Sequence, residues 1–471
     1  MRSLKISFCF LFFCVSVFAQ ENTMTLKQCI ETALSNNILV KQAGLSANAA
    51  NVNLKQAKDN LLPAVNGNFN YGFNQGRSVN PLTNSYINQR LNSSNVGLNG
   101  SITIFNGLRL QNIIKQNRFA YDAAKMDEQQ EKDNLKLNVI LAYLQVLSNQ
   151  DVLTIGKEQV NVTKKQVDRM AILVNEGAVG NYQLSDLKGQ LANEEIAIIN
   201  AENNLQQSKL ALFQLMNIDY NSEMKLEKSE VEVPSVKYTD SAQNIYQDAL
   251  KNFAAIKSNN LKIKSTDKAV KVARAGYFPT LSFNANLGSN YSSLAQTLTP
   301  TNIIETTTGD YVMINGNQNP VLQQQQNYSF SKTGYFRQLN NNLGTFAGIS
   351  IQVPLFNGFQ TKNNIKLSQL NYTNAKLEAD NTKLQLRQNI EQAWLDMNAA
   401  FEKYKTLTEQ VTNFKESFRA AEVRFNSGVI NSTEYLITKN NLDRAINNLA
   451  QAKYEYSFRT KILDYYKGTA F

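Results

Sequence analysis

The 471-residue chain contains no histidine, only three cysteines and only seven prolines. Without histidine there can be no imidazole metal site and no Ser-His-Asp arrangement. Two of the cysteines, Cys9 and Cys14, sit inside an N-terminal stretch where Arg2 and Lys5 precede an apolar run from Ile6 to Phe18. Val17-Phe18-Ala19 resembles a small-x-small cleavage site, so residues 1–19 read as a signal peptide, too short for a spanning helix. A lipid anchor would need a small residue before a cysteine, and Phe13 precedes Cys14. Cleavage would leave Cys29 alone, a packing residue in a short amphipathic helix, and no internal disulfide in an exported chain. Beyond residue 19 there is no apolar run of spanning length, so any membrane crossing must use strands. The formal charge of +10, reduced by two with the signal peptide, is spread without a basic cluster, which excludes a nucleic-acid footprint. No glycine-rich phosphate loop is visible. Glu194-Glu195 and the Glu227–Glu232 cluster read as solvated faces. No enzyme activity, cofactor or metal is expected.

Proline is also absent from residues 108–175 and 359–426, and Gly156 is the single glycine of these two runs. Proline and glycine are the main interior helix breakers, so each run reads as one helix about 100 Å long at 1.5 Å per residue. A compact globule has no use for two such helices; a rod or a tunnel does. Each run follows a strand ending in a tight turn, Ser101-Ile102-Thr103-Ile104-Phe105-Asn106-Gly107 and Ile351-Gln352-Val353-Pro354-Leu355-Phe356-Asn357-Gly358.

The turn is one landmark of an internal duplication. The block Thr25–Leu34 lines up with Ser241–Leu250, Pro63 with Pro279, and Gly177 with Gly428, with an insertion between the strands of the second copy. Repeat 1 covers 20–216, an equatorial linker with Pro234 covers 217–240, and repeat 2 covers 241–471. Each copy runs short capped helix, medium helix, strand, strand, long helix, turn, return helix. Thr25 with Gln28 makes a capping box. The medium helices cover about 36–62 and 253–277, and the return helices 183–216 and 432–466. End to end, a medium and a return helix together match one long helix. Leu191, Ile198, Leu205 and Leu212, and likewise Leu442, Leu449 and Tyr456, recur every seven residues, the spacing of a coiled-coil seam.

The strands, about 63–74, 95–105, 280–288 and 345–356, alternate apolar with small polar residues. Val65, Phe69, Leu98, Ile102, Phe283 and Ile351 fall on one parity. Asn66, Asn68, Asn99, Ser101, Asn284, Asn286, Ser350 and Gln352 fall on the other. This is the pattern of a transmembrane barrel with lipid outside and water inside. A soluble sandwich is the alternative, but no further strands exist to cover the apolar face. Four strands cannot close a barrel, so chains must associate: two would make eight strands and three twelve, which leaves more room. Residues 75–92 and 289–342 read as exposed loops at the outer mouth, with extra strand at their roots.

With these landmarks the chain resembles the TolC-type outer-membrane efflux channels across the mature sequence. The resemblance rests on Thr25–Asn37 and Ser241–Asn252, Pro63 and Pro279, Ile104-Phe105-Asn106-Gly107 and Pro354-Leu355-Phe356-Asn357-Gly358. It extends through Asn175-Glu176-Gly177-Ala178-Val179 and Phe425-Asn426-Ser427-Gly428-Val429 to Leu436 and Tyr466. It implies an α+β membrane protein: a homotrimer with a 12-stranded transmembrane β-barrel, four strands per chain, continued by a long periplasmic α-helical coiled-coil barrel. It further implies an outer-membrane location and two partners, a periplasmic adaptor (membrane fusion) protein and an inner-membrane pump of RND or ABC type.

Two sets of residues acquire roles through the resemblance. The helix tips Gly177, Ala178 and Val179 with Gly428, Val429 and Ile430 would dock the adaptor. Glycine past a helix end is ordinary helix termination, but apolar residues at a tip call for a partner. The periplasmic gate would involve Glu422 and Arg419, the latter where a carboxylate is common in the family, with Asp168 as a cross-helix partner for Arg419. The expected function is the passive outer-membrane conduit of a tripartite system for small-molecule efflux. Type I protein secretion is an alternative within the channel class; a non-channel coiled-coil scaffold or surface protein is the alternative outside it.

Overall fold

A computed structural model describes residues 23–79, 84–227 and 237–468. The expected signal peptide with Cys9 and Cys14, and Pro234 with most of the Glu227–Glu232 cluster, lie outside the described residues. In chain order the first half holds β1 (Thr23–Met24), α1 (Leu26–Asn36), α2 (Ile38–Asp59), β2 (Ala64–Asn74), β3 (Arg77–Val79), β4 (Tyr86–Asn88), β5 (Leu91–Phe105), α3 (Arg109–Asn175) and α4 (Asn181–Met216). The second half holds β6 (Lys225–Leu226), α5 (Ala242–Asn252), α6 (Ala254–Arg274), β7 (Thr280–Ser292), β8 (Gln296–Ile314), β9 (Asn317–Lys332), α7 (Tyr335–Asn341), β10 (Gly344–Gln352), α8 (Gln360–Asn426) and α9 (Ser432–Lys467). The long helices α3 and α8 have 67 residues each and the return helices α4 and α9 have 36 each. The chain divides into a mainly helical unit, drawn from 1–51, 118–265 and 373–471, and a strand-bearing unit, 52–117 and 266–372.

Local signals account for the starts of α1 and α5 in the helical unit. Thr25 and Gln28 form the reciprocal capping box, and Ser241 Oγ accepts from the Asn244 N–H at 3.2 Å at the matching start of α5. The unit packs around separate apolar clusters. One gathers Cys29, Tyr143, Leu147, Leu212, Phe213 and Met216, and burial pushes the Cys29 thiol up to about 11, which suits an inert packing role. Another gathers Ile245, Ile390, Met397, Tyr456 and Leu463. Tyr143 and Trp394 hold the same position relative to the two Phe-Asn-Gly turns, and both serve the connection between α4 and α5. Tyr143 Oη donates to the Glu227 carbonyl at 2.6 Å, and Trp394 Nε1 donates to the Asp240 carbonyl at 2.9 Å. Each indole or phenol supplies an apolar body for the core and a polar tip for a part-buried backbone oxygen.

In the strand unit, β10, β7, β5 and β2 form one antiparallel sheet in that order. Within the chain, β2 and β10 each have one unpaired edge. The final strand stops at Gln352, short of the expected residue 356, because Pro354 has no N–H for a ladder and restrains Val353 before it. β5 and β7, by contrast, extend beyond their expected ends, to Leu91 and Ser292. The region 289–342 is not a loop with strand only at its roots. It is the long hairpin of β8 and β9 followed by α7. Asn315 and Gly316, both at positive φ, close it with the two-residue turn that matches strand twist. The 75–92 connection carries the short β3–β4 pair.

The strand-to-helix junction before each long helix is left-handed at two consecutive residues, Gly107 with Leu108 and Gly358 with Phe359. A side chain costs about 1–2 kcal/mol in that conformation. At Gly107 a Cβ would also come within 2.7 Å of Phe278 Cβ, whereas at Gly358 it would meet nothing within 4 Å. Gly107→Ala should therefore lower thermal stability clearly more than Gly358→Ala, which should cost only the conformational penalty of about 1–2 kcal/mol. Melting curves of the two purified variants check this.

Candidate functional site

The sheet register sorts the strand residues onto two faces. Directly paired residues share a face. Asn66 pairs with Asn99, Asn99 with Asn286, Ser101 with Asn284, and Ser282 with Ser350. Continued along the strands, this brings Asn66, Asn68, Asn99, Ser101, Asn284, Asn286, Ser350 and Gln352 to one face. Two cross-strand bonds knit it: Asn99 Nδ2 donates to Asn68 Oδ1 at 2.9 Å, and Asn284 Nδ2 donates to Ser350 Oγ at 3.0 Å. The opposite face carries Val65, Phe69, Leu98, Ile102, Phe283 and Ile351, with Val65 and Ile351 each 67% exposed in the single chain. Among the described residues no helix is long and apolar enough to cross a membrane. No group of three or more His, Cys, Asp or Glu among them could hold a metal.

At the tips, Gly177 and Gly428 are left-handed at φ 75° and 73°. The following N–H groups reach back to the helix, Ala178 to the Leu173 carbonyl at 3.0 Å and Val429 to the Arg424 carbonyl at 2.9 Å. This satisfies carbonyls that a helix end otherwise orphans. The two expected apolar contacts of the second tip separate here. Val429 is 66% exposed, but Ile430 is 8% exposed and packs with Val167, Met170, Leu187, Phe425 and Tyr435. Ile430 is thus a core residue of the tip, since the chain turns it inward before Asn431 caps α9 by accepting from the Glu434 N–H. Val179 is half-buried against the same cluster. Tyr435 stacks on Phe425 with centroids 4.5 Å apart; burial, and then the charge of Glu422, pushes its phenol above the ordinary value.

The expected cross-helix pair of Asp168 with Arg419 does not form within the chain. Arg419 Nη2 instead bonds Glu416 Oε1 at 3.1 Å, one turn back on its own helix. The residue that reaches from α3 to α8 is Arg169, whose guanidinium donates to Asn426 Oδ1 and, at 3.0 Å, to the Asn426 carbonyl. Successive helical side chains are about 100° apart, so orienting Arg169 toward α8 turns Asp168 out to solvent. Glu422 is half-buried. Arg424 also links the end of α8 to Glu434 at 3.3 Å.

Below the tip lies an ionic cluster that the sequence did not announce. Glu194 is not on a solvated face. Its Oε1 lies 2.8 Å from Lys439 Nζ, whose side chain is 3% exposed and which also bonds Asp443 Oδ2 at 2.5 Å. Gln190 Nε2 donates to the same Glu194 oxygen and to Asn440 Oδ1, joining α4 to α9. Burial holds the Asp443 carboxyl above its ordinary value despite the lysine. Its favourable contribution is therefore complete below the unfolded-state value and lost as pH rises through the folded one. Lys439→Met should cost about 3–5 kcal/mol, because two buried carboxylates lose their cation. Adding Glu194→Gln and Asp443→Asn should recover most of that loss in thermal melts of the purified protein. Asp443→Asn alone should remove the decline attributed to raising pH.

Comparisons with known proteins bear on the family and the fold. Residues 29–217 and 245–460 match the family described as outer membrane efflux protein. Outer membrane protein TolC of Escherichia coli (strain K12) is 24% identical over 445 residues, 93% of this chain and 80% of that protein. The crystal structures of CusC, described in terms of folding and transmembrane channel formation, superpose with a TM-score of 0.75 at 15% identity over 94% of this chain and 92% of theirs. The CmeC outer membrane channel of Campylobacter jejuni superposes with a TM-score of 0.71 at 19% identity, covering 94% of this chain and 85% of that one. The chain belongs to the outer membrane efflux protein family: it is a channel of the outer membrane with helices extending into the periplasm, and not an enzyme.

Proposed function

We propose that three copies assemble into a passive conduit whose twelve strands close a barrel in the outer membrane and whose helices continue it as a periplasmic coiled-coil tunnel. The observation that carries this reading is the combination of one uncharged, amide-lined strand face with open edges on β2 and β10. An open edge in hydrocarbon leaves unsatisfied backbone groups costing several kcal/mol each, and pairing β10 of one copy with β2 of the next removes every edge. The duplicated order of the elements, with α3 and α8 of equal length and α4 and α9 of equal length, suits a tunnel wall built from like hairpins.

The conduit works in a tripartite system for small-molecule efflux, with an inner-membrane pump of RND or ABC type supplying energy and a periplasmic adaptor gripping the tips. Gly177, Ala178, Gly428 and above all Val429 form the docking surface, with Val179 and Ile430 bracing it from beneath. Asp168, Arg419 and Glu422 lie at the entrance, where the solvent-exposed Asp168 and Arg419 can engage between neighbouring copies in exchange for the exposed Arg419–Glu416 pair. Arg169 with Asn426 ties the two long helices of one copy together. Exposed pairs contribute only about 0–1 kcal/mol each, which suits a gate that must open.

Two experiments test the reading. Arg at Ile102 or Ile351 should impair membrane assembly by about 2–4 kcal/mol at mid-depth, while Arg at Asn99 or Ser101 should assemble and change ion conductance; equal tolerance on both faces would contradict the conduit. Val429→Asp should abolish export from cells while leaving the oligomer intact, because docking would have to desolvate the new charge. Wild-type export by that variant would overturn the tip assignment. Ile430→Asp, which buries a charge, should instead destabilise the tip itself.

A further inference from the structure

One side chain departs from the chemistry of the polar strand face. Along β2, β5, β7 and β10 that face carries amides, hydroxyls and small residues, and no charged group. Leu91 shares its parity but is buried at the strand end. Phe346 on β10 is the exception. The register sets it opposite Asn286, in the row that continues through Asn99 to Asn66. It is 64% exposed.

The ring has a defined seat. It leans forward along its own strand over Gly348, on the same face, since a Cβ built on Gly348 would come within 2.7 Å of Phe346 Cζ and 3.2 Å of Cε1. The neighbouring rows are low. Gly344, Gly288 and Gly97 form the one on one side, ending at Asn68; Gly348, Asn284, Ser101 and Ala64 form the one on the other. The ring therefore stands above its surroundings with an apolar face uncovered. In a rotationally symmetric assembly each copy would present it at the same height.

We propose that Phe346 is a specificity-determining residue of the conduit: a phenyl group, repeated once per chain around an otherwise amide-lined wall, that retains planar aromatic portions of passing solutes. The inference rests on the conduit reading above, because it requires the polar face to line the path. A phenyl face attracts a second aromatic ring in offset or edge-to-face geometry, and it attracts a cation through its quadrupole. Amide and hydroxyl neighbours offer neither attraction.

The test uses purified full-length protein in planar bilayers, with ethidium as a planar aromatic cation and tetraethylammonium as a non-aromatic one, each added from the strand side. The wild type should conduct and show longer current blocks with ethidium than with tetraethylammonium. Phe346→Ala should shorten the ethidium blocks about 2- to 10-fold more than the tetraethylammonium blocks, the range set by aromatic pairing, because tetraethylammonium loses only the cation attraction and ethidium loses aromatic pairing as well. Phe346→Leu, which keeps apolar bulk without a ring, should lose the same discrimination. Gly348→Val, whose side chain occupies the seat of the ring, should alter ethidium block while retaining the phenyl group. A conducting wild type whose Phe346→Ala variant keeps the full ethidium preference overturns this proposal alone. A wild type that reconstitutes but does not conduct overturns the conduit reading and the proposal with it.

Discussion

A strand edge facing hydrocarbon presents a row of N–H and C=O groups that neither lipid nor water can satisfy, and the whole arrangement follows from that constraint. The four-stranded sheet is internally paired, but β2 and β10 end it on either side. Its two faces differ in chemistry: mainly apolar residues on one, and mainly asparagine, serine, glycine and glutamine on the other, with Phe346 the exposed exception. Such a sheet is stable in a membrane only as part of a closed ring with the amide face inward. In such a ring the inward face would be a neutral wall. Hydrogen bonds such as Asn99 to Asn68 satisfy polar side chains laterally without placing charge near lipid.

The helical unit meets a different demand, that of holding very long helices in register with little apolar sequence. It does so with discrete clusters rather than one continuous core. Tyr143 and Trp394, at matching positions, anchor the connection between α4 and α5 at Glu227 and Asp240 by donating to their backbone oxygens. Nearer the tips, where the apolar cluster of Val167, Leu187, Phe425, Ile430 and Tyr435 is small, the buried Lys439 bridges Glu194 and Asp443. A buried ion pair adds little net stability relative to an apolar replacement, but it penalises any arrangement that separates its members. We read it as a device that fixes the register of α4 against α9.

Much of this was legible in the sequence because absence is a strong signal there. Two proline-free runs announce the helices seen at Arg109–Asn175 and Gln360–Asn426, and the period-two alternation announces the faces of the sheet. The β8–β9 hairpin was also written in the chain, as Asn315-Gly316 between strand-forming residues, but the polar run Gln323–Gln326 disguised its second strand as loop. Other features depend on packing that spacing does not reveal. Ile430 looks like an exposed tip residue until the turn rotates it into the cluster. Arg169 rather than its neighbour Asp168 faces α8, a difference of one helical position. Glu194 reads as a surface charge because it sits between Asn193 and Glu195, and only the approach of α4 to α9 buries it against Lys439.

The most direct measurement addresses the edges. In a Cys29→Ser background, one cysteine is scanned along residues 66–74 of β2 and a second along 344–352 of β10, and the protein is oxidised in outer membranes. The account predicts that at matching registers the chains join β10 to β2 into a covalent ladder that ends at three, with nothing larger. Absence of any intermolecular bond across all registers, or a ladder that ends at another number, would contradict it.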